Sequence, residues 1–325
     1  MSGIDVEAFE DEWEEGHKPV ARRGKELSAA RRARIEDLEV ARVIGLDRGR
    51  VTVLIDDEVV EARLAGTMRG HKAAVGDRVR VQGAPDTARI VEVLDRDTEL
   101  TRTPDDNLEE ERVVVANADQ IVVILAADNL DAGVRFLDRV LVAASVGRLD
   151  PVVCLNRVDL VEDREPVEAV ATSYEAIGIP VQITSAHTGE GVDQLARAIA
   201  GTWSAFAGHS GVGKSSLFNQ LIPDADQTVG EIGSRGGRHT TVAAWAMPVP
   251  ALDAWIVDTP GVRSFGLGRL RPDELARHFP ELAALHCHLD DCTHRGEPGC
   301  ALSESAITPQ RWAAYERLWE SMTNT

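Results

Sequence analysis

Gly208, His209, Ser210, Gly211, Val212, Gly213, Lys214 and Ser215 fit the pattern G-x-x-x-x-G-K-S/T. The spacing is that of a phosphate cradle. Glycines let successive backbone N–H groups turn inward around phosphate oxygens, Lys214 can reach the outer phosphates, and the Ser215 hydroxyl can hold Mg²⁺. Ser216 follows in the first turn of a helix and is counted with the nucleotide contacts. A second group, Asn156, Arg157, Val158 and Asp159, suits guanine. The Asp159 carboxylate can accept from both N1–H and the 2-amino group, a donor pair that adenine lacks. Asn156 can meet the O6/N7 edge, and the backbone of Ser185 and Ala186 can donate to O6. Arg157 stands where lysine is usual, and its aliphatic stem can lie against the ring.

Two further segments complete this chemistry. In Asp258, Thr259, Pro260, Gly261 the carboxylate would hold Mg²⁺ through water and the Gly261 N–H would touch a γ-phosphate. Between that segment and the phosphate loop lies 235–241, where a switch belongs. Thr241, favoured over Thr240, would close the Mg²⁺ shell; the plainer alternative is a flexible basic loop. Near the C-terminus Cys287, Cys292, His294 and Cys300 have the spacing C-x4-C-x-H-x5-C, which suits one closed, and so structural, Zn²⁺ site. His286 and His288 flank the first cysteine and could replace a member of the set, and free buried cysteines are the competing expectation. Cys154 sits alone in an apolar run.

These residues need elements to place them. Segments 120–126, 151–155, 180–183, 203–207, 242–249 and 254–257 read as strands. Helices are expected at 134–146, 166–177, 192–200 and 215–221. Such alternation implies a parallel sheet covered on both faces. The phosphate loop then falls between a strand and a helix N-terminus, whose dipole favours anions. Phe136 and its neighbours are expected in the core. Upstream, short strands at 41–46, 51–55, 59–64, 78–82 and 88–94 separated by turn residues fit a small barrel of the oligonucleotide-binding (OB) type. Arg63, Arg69, His71 and Lys72 are its best local basic candidates. A polar connector spans 101–111. Helices at 273–279 and 309–322 flank the Cys/His cluster, and Trp312, Tyr315 and Trp319 recur at helical spacing as a packing stripe.

The division expected is a charged flexible arm at 1–37, a barrel at 38–98, a nucleotide domain at 99–268 and a zinc-binding helical domain at 269–325. The arm changes from acidic to basic, and is read either as solvated disorder or as a segment that orders on RNA phosphates. Across 325 residues the formal charge is −19, which argues against simple coating of nucleic acid. Neither a secretory signal nor a long apolar span is expected, so a cytoplasmic protein without membrane contact is the reading; a monomer is expected, with oligomeric state left open by the sequence.

Motif order is the most specific feature. The guanine group precedes the phosphate loop, whereas an ordinary GTPase has the loop first. In this order the segments 156–159, 208–215, 237–241, 258–261 and 287–300 resemble the circularly permuted GTPases of ribosome assembly, specifically the ribosome small-subunit-dependent GTPase A family. The resemblance implies an OB barrel, a permuted GTPase domain and a zinc domain. It further implies GTP hydrolysis stimulated by the small ribosomal subunit and its rRNA, late in subunit maturation, and coupled to release. Two departures stand out: Arg157, and the segment 250–253, which lacks a glycine pair common in that turn. Val262 follows Gly261 where many GTPases place glutamine, and an aliphatic side chain cannot orient water. By resemblance, His239 takes that task. The alternative is a non-catalytic RNA-binding protein with guanine nucleotide as a structural ligand. Intact Lys214, Ser215 and Asp258 argue against it. Asp159 argues against a third reading, an ATPase or small-molecule kinase.

Overall fold

The structure, a computed structural model, describes residues 29–47, 50–68, 72–102, 112–222, 244–259, 265–267 and 270–323. Residues 38–325 form one compact unit, and the segment ending at Asp37 is a separate one. In the latter, Ala29–Glu36 is a helix, α1. The expected flexible arm thus ends in a helix, and residues 1–28 lie outside the described residues.

The barrel strands are β1 (Val40–Asp47), β2 (Arg50–Ile55), β3 (Glu58–Leu64), β4 (Arg78–Gln82) and β5 (Arg89–Val93). They pair in the order β1-β2-β3-β5-β4, and a β1–β4 pairing closes the cylinder. Alternation explains the closure: Val43, Val53, Val79 and Ile90 are buried at its centre while intervening positions face outward.

Among the described residues, eight strands and four α-helices follow before the C-terminal segment. The strands are β6 (Glu99–Arg102), β7 (Arg112–Ala116), β8 (Gln120–Ala126), β9 (Asp150–Asn156), β10 (Val181–Ile183), β11 (Trp203–Ala207) and, past the phosphate loop, β12 (Trp245–Val249) with β13 (Ala254–Asp258) beside it. The helices α2 (Leu130–Gly147), α3 (Glu165–Glu175), α4 (Val192–Ile199) and α5 (Lys214–Leu221) connect them. Strands β10, β9, β8, β11 and β13 run parallel in that order, with β12 antiparallel at the end. Strand β8 is buried at every position, as a central strand covered on both faces must be. One face packs on α2 and α3, the other on α4 and α5.

Barrel and sheet join edge to edge where Gly45 pairs with Trp245. A Cβ at Gly45 would lie 2.5 Å from the indole, so the close approach demands glycine. Arg42 of β1 reinforces the joint by lying over the Trp203 ring, 3.4 Å from its centroid.

Two expectations are corrected. The supposed connector at 101–111 begins inside β6, which forms a two-stranded antiparallel sheet with β7. With only four residues in β6, period-two alternation is too short to read, although Leu100 and Val115 are fully buried. The expected helix at 273–279 is a 3-10 segment, Pro272–His278, followed by a separate short helix, α6 (Pro280–Ala283). Pro280 explains the break, because it lacks an N–H and pushes Phe279 into an extended conformation, φ −110° and ψ 108°.

Helix α7 (Pro309–Thr323) closes the chain, and Tyr315, edge-on to Phe279 at 5.3 Å, shares a core with α2. The aromatic stripe is therefore packing. Among the described residues no helix is long and apolar enough to cross a membrane.

Candidate nucleotide site and metal centre

Because β9, β10, β11 and β13 are parallel, their C-terminal ends lie along one edge of the sheet, where open α/β sheets bind ligands. Asn156 ends β9, Ser185 and Ala186 follow β10, the 208–215 loop follows β11, and Asp258 ends β13. Residues separated by about a hundred positions in sequence are thereby brought onto one edge.

The phosphate loop is curved by Gly211 and Gly213 at φ 88° and 93°, a region that favours glycine. Gly213 is further constrained, since a Cβ there would sit 2.3 Å from the Asn156 Nδ2. Inside the curve, Lys214 Nζ donates to the Gly208 carbonyl at 2.9 Å. An ammonium has three donors, so two are left for phosphate oxygens. Ser215 and Ser216 are exposed on the first turn of α5. His209 lies on the ring of Phe136, with centroids 4.4 Å apart. Phe136 is buried as expected, yet it also supports the loop.

Asn156 is fully buried and braces three segments at once. Its Nδ2 donates to Val212 O at 2.9 Å, while its Oδ1 accepts from the Thr184 hydroxyl and the Ala186 N–H, each at 3.1 Å. One Nδ2 hydrogen is left for a base edge. Asp159 accepts from the Ser185 hydroxyl at 2.6 Å, which fixes one carboxylate oxygen. Arg157, at φ 69°, extends its guanidinium to Gly211 O at 3.2 Å and to Asp128 at 3.1 Å. Cys154 lies beneath the site against Thr184, and burial pushes its thiol up to about 12, so it stays protonated.

Asp258 has the environment of a cation ligand. Burial holds its carboxyl above the usual carboxylate range, and the Lys214 charge and the Thr259 N–H pull it partly back. Its Oδ1 is buried without a hydrogen-bond partner among the described residues. Such an orphaned acceptor beside the phosphate loop fits a hydrated Mg²⁺, a hard cation that takes oxygen ligands. His239, Thr241 and Gly261, expected to share this site, lie outside the described residues.

At the C-terminal end, Cys287, Cys292, His294 and Cys300 converge, with all ligand atoms within 4.8 Å of one another, and could hold a metal ion. The His294 Nδ1 lies 3.6, 3.8 and 3.4 Å from the sulfurs of Cys287, Cys292 and Cys300. His294 adopts φ 59°, which turns its ring into the group. His286 and His288 stay outside it; the His288 ring packs on Gly299. Tyr315 donates to Thr293 O at 2.6 Å and so ties the knuckle to α7.

The same layout occurs in known proteins. Residues 93–268 match the RsgA GTPase family. A small ribosomal subunit biogenesis GTPase RsgA of Gemmatimonas aurantiaca is 38% identical over 281 residues, covering 80% of this chain and 91% of that protein. This chain belongs to the RsgA GTPase family. Among solved structures, YjeQ from Thermotoga maritima is similar with a TM-score of 0.70 and 28% identity, over 88% of this chain and 99% of its own. YloQ, described as a circularly permuted GTPase, gives 0.68 and 25%, over 89% of this chain and 96% of its own. The permutation is visible in the RsgA-type sheet: the phosphate-loop strand β11 sits between β8 and β13, although β8, β9 and β10 precede it in the chain.

Sequence reasoning missed three supports of the RsgA-type site. Asp128 follows β8 as an acid without a motif, and only its contact with Arg157 marks it. Gln220 of α5 donates to Ala186 O at 3.1 Å and steadies the guanine loop. Asp138 of α2 meets Arg311 of α7 in a buried ion pair at 2.8 Å, across 173 positions of sequence. No local pattern announces any of them.

Proposed function

We propose that this chain binds GTP at the 208–215 loop, hydrolyses it to GDP and phosphate, and acts in late maturation of the small ribosomal subunit. Docking on the subunit's rRNA stimulates turnover, and loss of the γ-phosphate releases the protein. The observation that carries the nucleotide reading is the packing of Asn156 and Asp159 with Ser185 and Ala186 directly against the phosphate loop. The subunit reading is supported by relatives named small ribosomal subunit biogenesis GTPase. A cytoplasmic monomer, divided as 1–37, 38–98, 99–268 and 269–325, is part of the same proposal. The closed barrel ending at Val93 and the parallel sheet starting at Gln120 support that division.

Chemically, the loop N–H groups of residues 208–216 and Lys214 Nζ are placed to neutralise charge on the γ-phosphate oxygens as the bond to the leaving group lengthens. Asp159 accepts from guanine, and the Arg157 stem borders the base. Ser215, Thr241 and, through water, Asp258 would hold Mg²⁺, which supplies Lewis-acid neutralisation of the β- and γ-oxygens. By the family resemblance, His239 is the residue that orients the attacking water when the protein is docked on the subunit. GTP turnover measured alone and with purified small subunits tests the reading. Subunits are expected to accelerate it roughly a hundredfold, the range of a positioned acid–base group, and His239→Ala to remove the acceleration. Equal turnover with and without subunits would refute the proposal.

The Cys/His cluster is proposed to hold one structural Zn²⁺. Tetrahedral zinc bonded to sulfur and nitrogen spaces those atoms about 3.5 Å apart. The sulfur to Nδ1 distances of 3.4 to 3.8 Å fit that spacing. Native mass spectrometry is expected to find one zinc per chain. Cys292→Ser should lose it, with faster amide exchange across 287–300 and GDP binding retained. A variant that keeps its zinc would contradict the assignment.

A further inference from the structure

Arg157 bridges two loops with separate arms of one side chain. Its guanidinium donates from Nη1 to the Gly211 carbonyl at 3.2 Å and from Nη2 to Asp128 Oδ2 at 3.1 Å. A planar fork presents separate N–H groups to two acceptors at once, whereas an ammonium is a compact point charge on a flexible stem. Both acceptors sit on loops that border the nucleotide site. Gly211 is a curved position of the phosphate loop, at φ 88°. Asp128 belongs to the 3-10 turn Ala127–Asn129 that follows β8, the strand beside β11. The Arg157 stem also runs along the loop, its Cγ 3.9 Å from where a Cβ on Gly213 would lie.

This arrangement matters because an empty phosphate loop has its N–H groups turned toward one another's positive ends and no anion to hold them there. A carbonyl tied from outside the curve restrains the loop before phosphate arrives. The guanidinium in turn needs something to hold it, since it is over a third exposed and otherwise free to follow solvent. We propose that Asp128 is a positioning residue for nucleotide binding: it holds the Arg157 guanidinium against the Gly211 carbonyl and so keeps the phosphate loop in its binding curve. Asp128 touches no substrate. It acts through Arg157, and the inference rests on the reading that guanine nucleotide binds at this loop.

The test is GDP affinity by isothermal titration calorimetry in magnesium buffer, on the full chain. Four proteins are compared: wild type, Asp128→Asn, Arg157→Met and the double variant. Asn keeps the shape of Asp128 without its charge, and Met keeps the Arg157 stem without its donors. Asp128→Asn is expected to weaken GDP about two- to fivefold, the span of a part-exposed ion pair. In the Arg157→Met background the same change should have no further effect, because its partner is already gone. The effect in the wild-type background should shrink at high salt. The urea midpoint of nucleotide-free protein should not move, which separates positioning from general destabilisation. The inference is overturned if Asp128→Asn binds GDP like wild type, if the two factors multiply in the double variant, or if the urea midpoint falls with the affinity. Wild-type protein that binds no GDP would overturn the nucleotide reading itself.

Discussion

Lys214→Ala is expected to slow GTP turnover by about a hundred- to a thousandfold, the cost of removing one preorganised charge from a transition state. The side chain is already aimed: its Nζ is held 2.9 Å from the Gly208 carbonyl, inside the loop proposed to hold the phosphates. It is also the positive charge that partly restores the acidity of the half-buried Asp258 carboxyl. Truncation therefore removes a phosphate ligand and leaves a half-buried carboxylate with its orphaned Oδ1 even less inclined to ionise. Lys214→Arg should not rescue, because the longer planar group cannot occupy the space of an ammonium within the curve. Single-turnover hydrolysis with saturating subunits gives the chemical step, and GDP titration separates it from binding. Turnover within tenfold of wild type would remove Lys214 from the mechanism. The fold should survive, since the amine is only partly buried and Gly208 O can turn to water.

Arg311→Met is expected to destabilise the protein by about 3–5 kcal/mol, the cost of stranding buried charge. Arg311 is 5% exposed, and it donates to Glu281 at 2.8 and 3.3 Å and to Asp138 at 2.8 Å. Asp138 is 2% exposed and also accepts from the Tyr174 hydroxyl at 3.0 Å. Without the guanidinium, two carboxyls remain inside with little to neutralise them. Burial already raises the Asp138 carboxyl above its usual range, with Arg311 opposing it, so the variant pushes it higher still. A folded pKa above the unfolded one means that the folded state holds its proton longer. Stability lost at neutral pH should thus return as pH falls through the raised folded value. Urea unfolding at neutral and mildly acidic pH tests both statements. A loss under about 1 kcal/mol, typical of an exposed pair, would show the network to be ornamental. Replacing all three, as Asp138→Asn, Glu281→Gln and Arg311→Met, should recover much of the loss because no charge is then left stranded.

This ion pair also bears on how the C-terminal segment can respond to nucleotide. Helix α2 holds Arg311 through Asp138, the Phe265 carbonyl through Arg139 at 2.9 Å, and the His209 ring of the phosphate loop through Phe136. Phe265 in turn pairs with Arg102 of β6. These contacts anchor the segment to α2.

Much of the fold was legible because its signals are local. Strands β8 and β11 begin and end where their apolar runs do, and the barrel strands follow alternation and turn residues to within about two positions, the usual tolerance of element ends. The glycines of the phosphate loop and the four metal-type ligands could be named from type and spacing, since backbone curvature and coordination each demand particular residues. The β6–β7 pair was not legible, because a four-residue strand carries no usable period. Nor was the break at Pro280, where two helical types compete over a few residues.

The sequence by itself singled out candidate residues for the chemistry and, through motif order, identified the chain as a permuted GTPase. Tertiary structure decided what holds them: Asn156 spanning three loops, Asp128 behind Arg157, and Asp138 against Arg311. The physical reason is distance along the chain. Periodicity and spacing are properties of one segment, whereas a buried hydrogen bond between segments exists only once packing has excluded water from both partners.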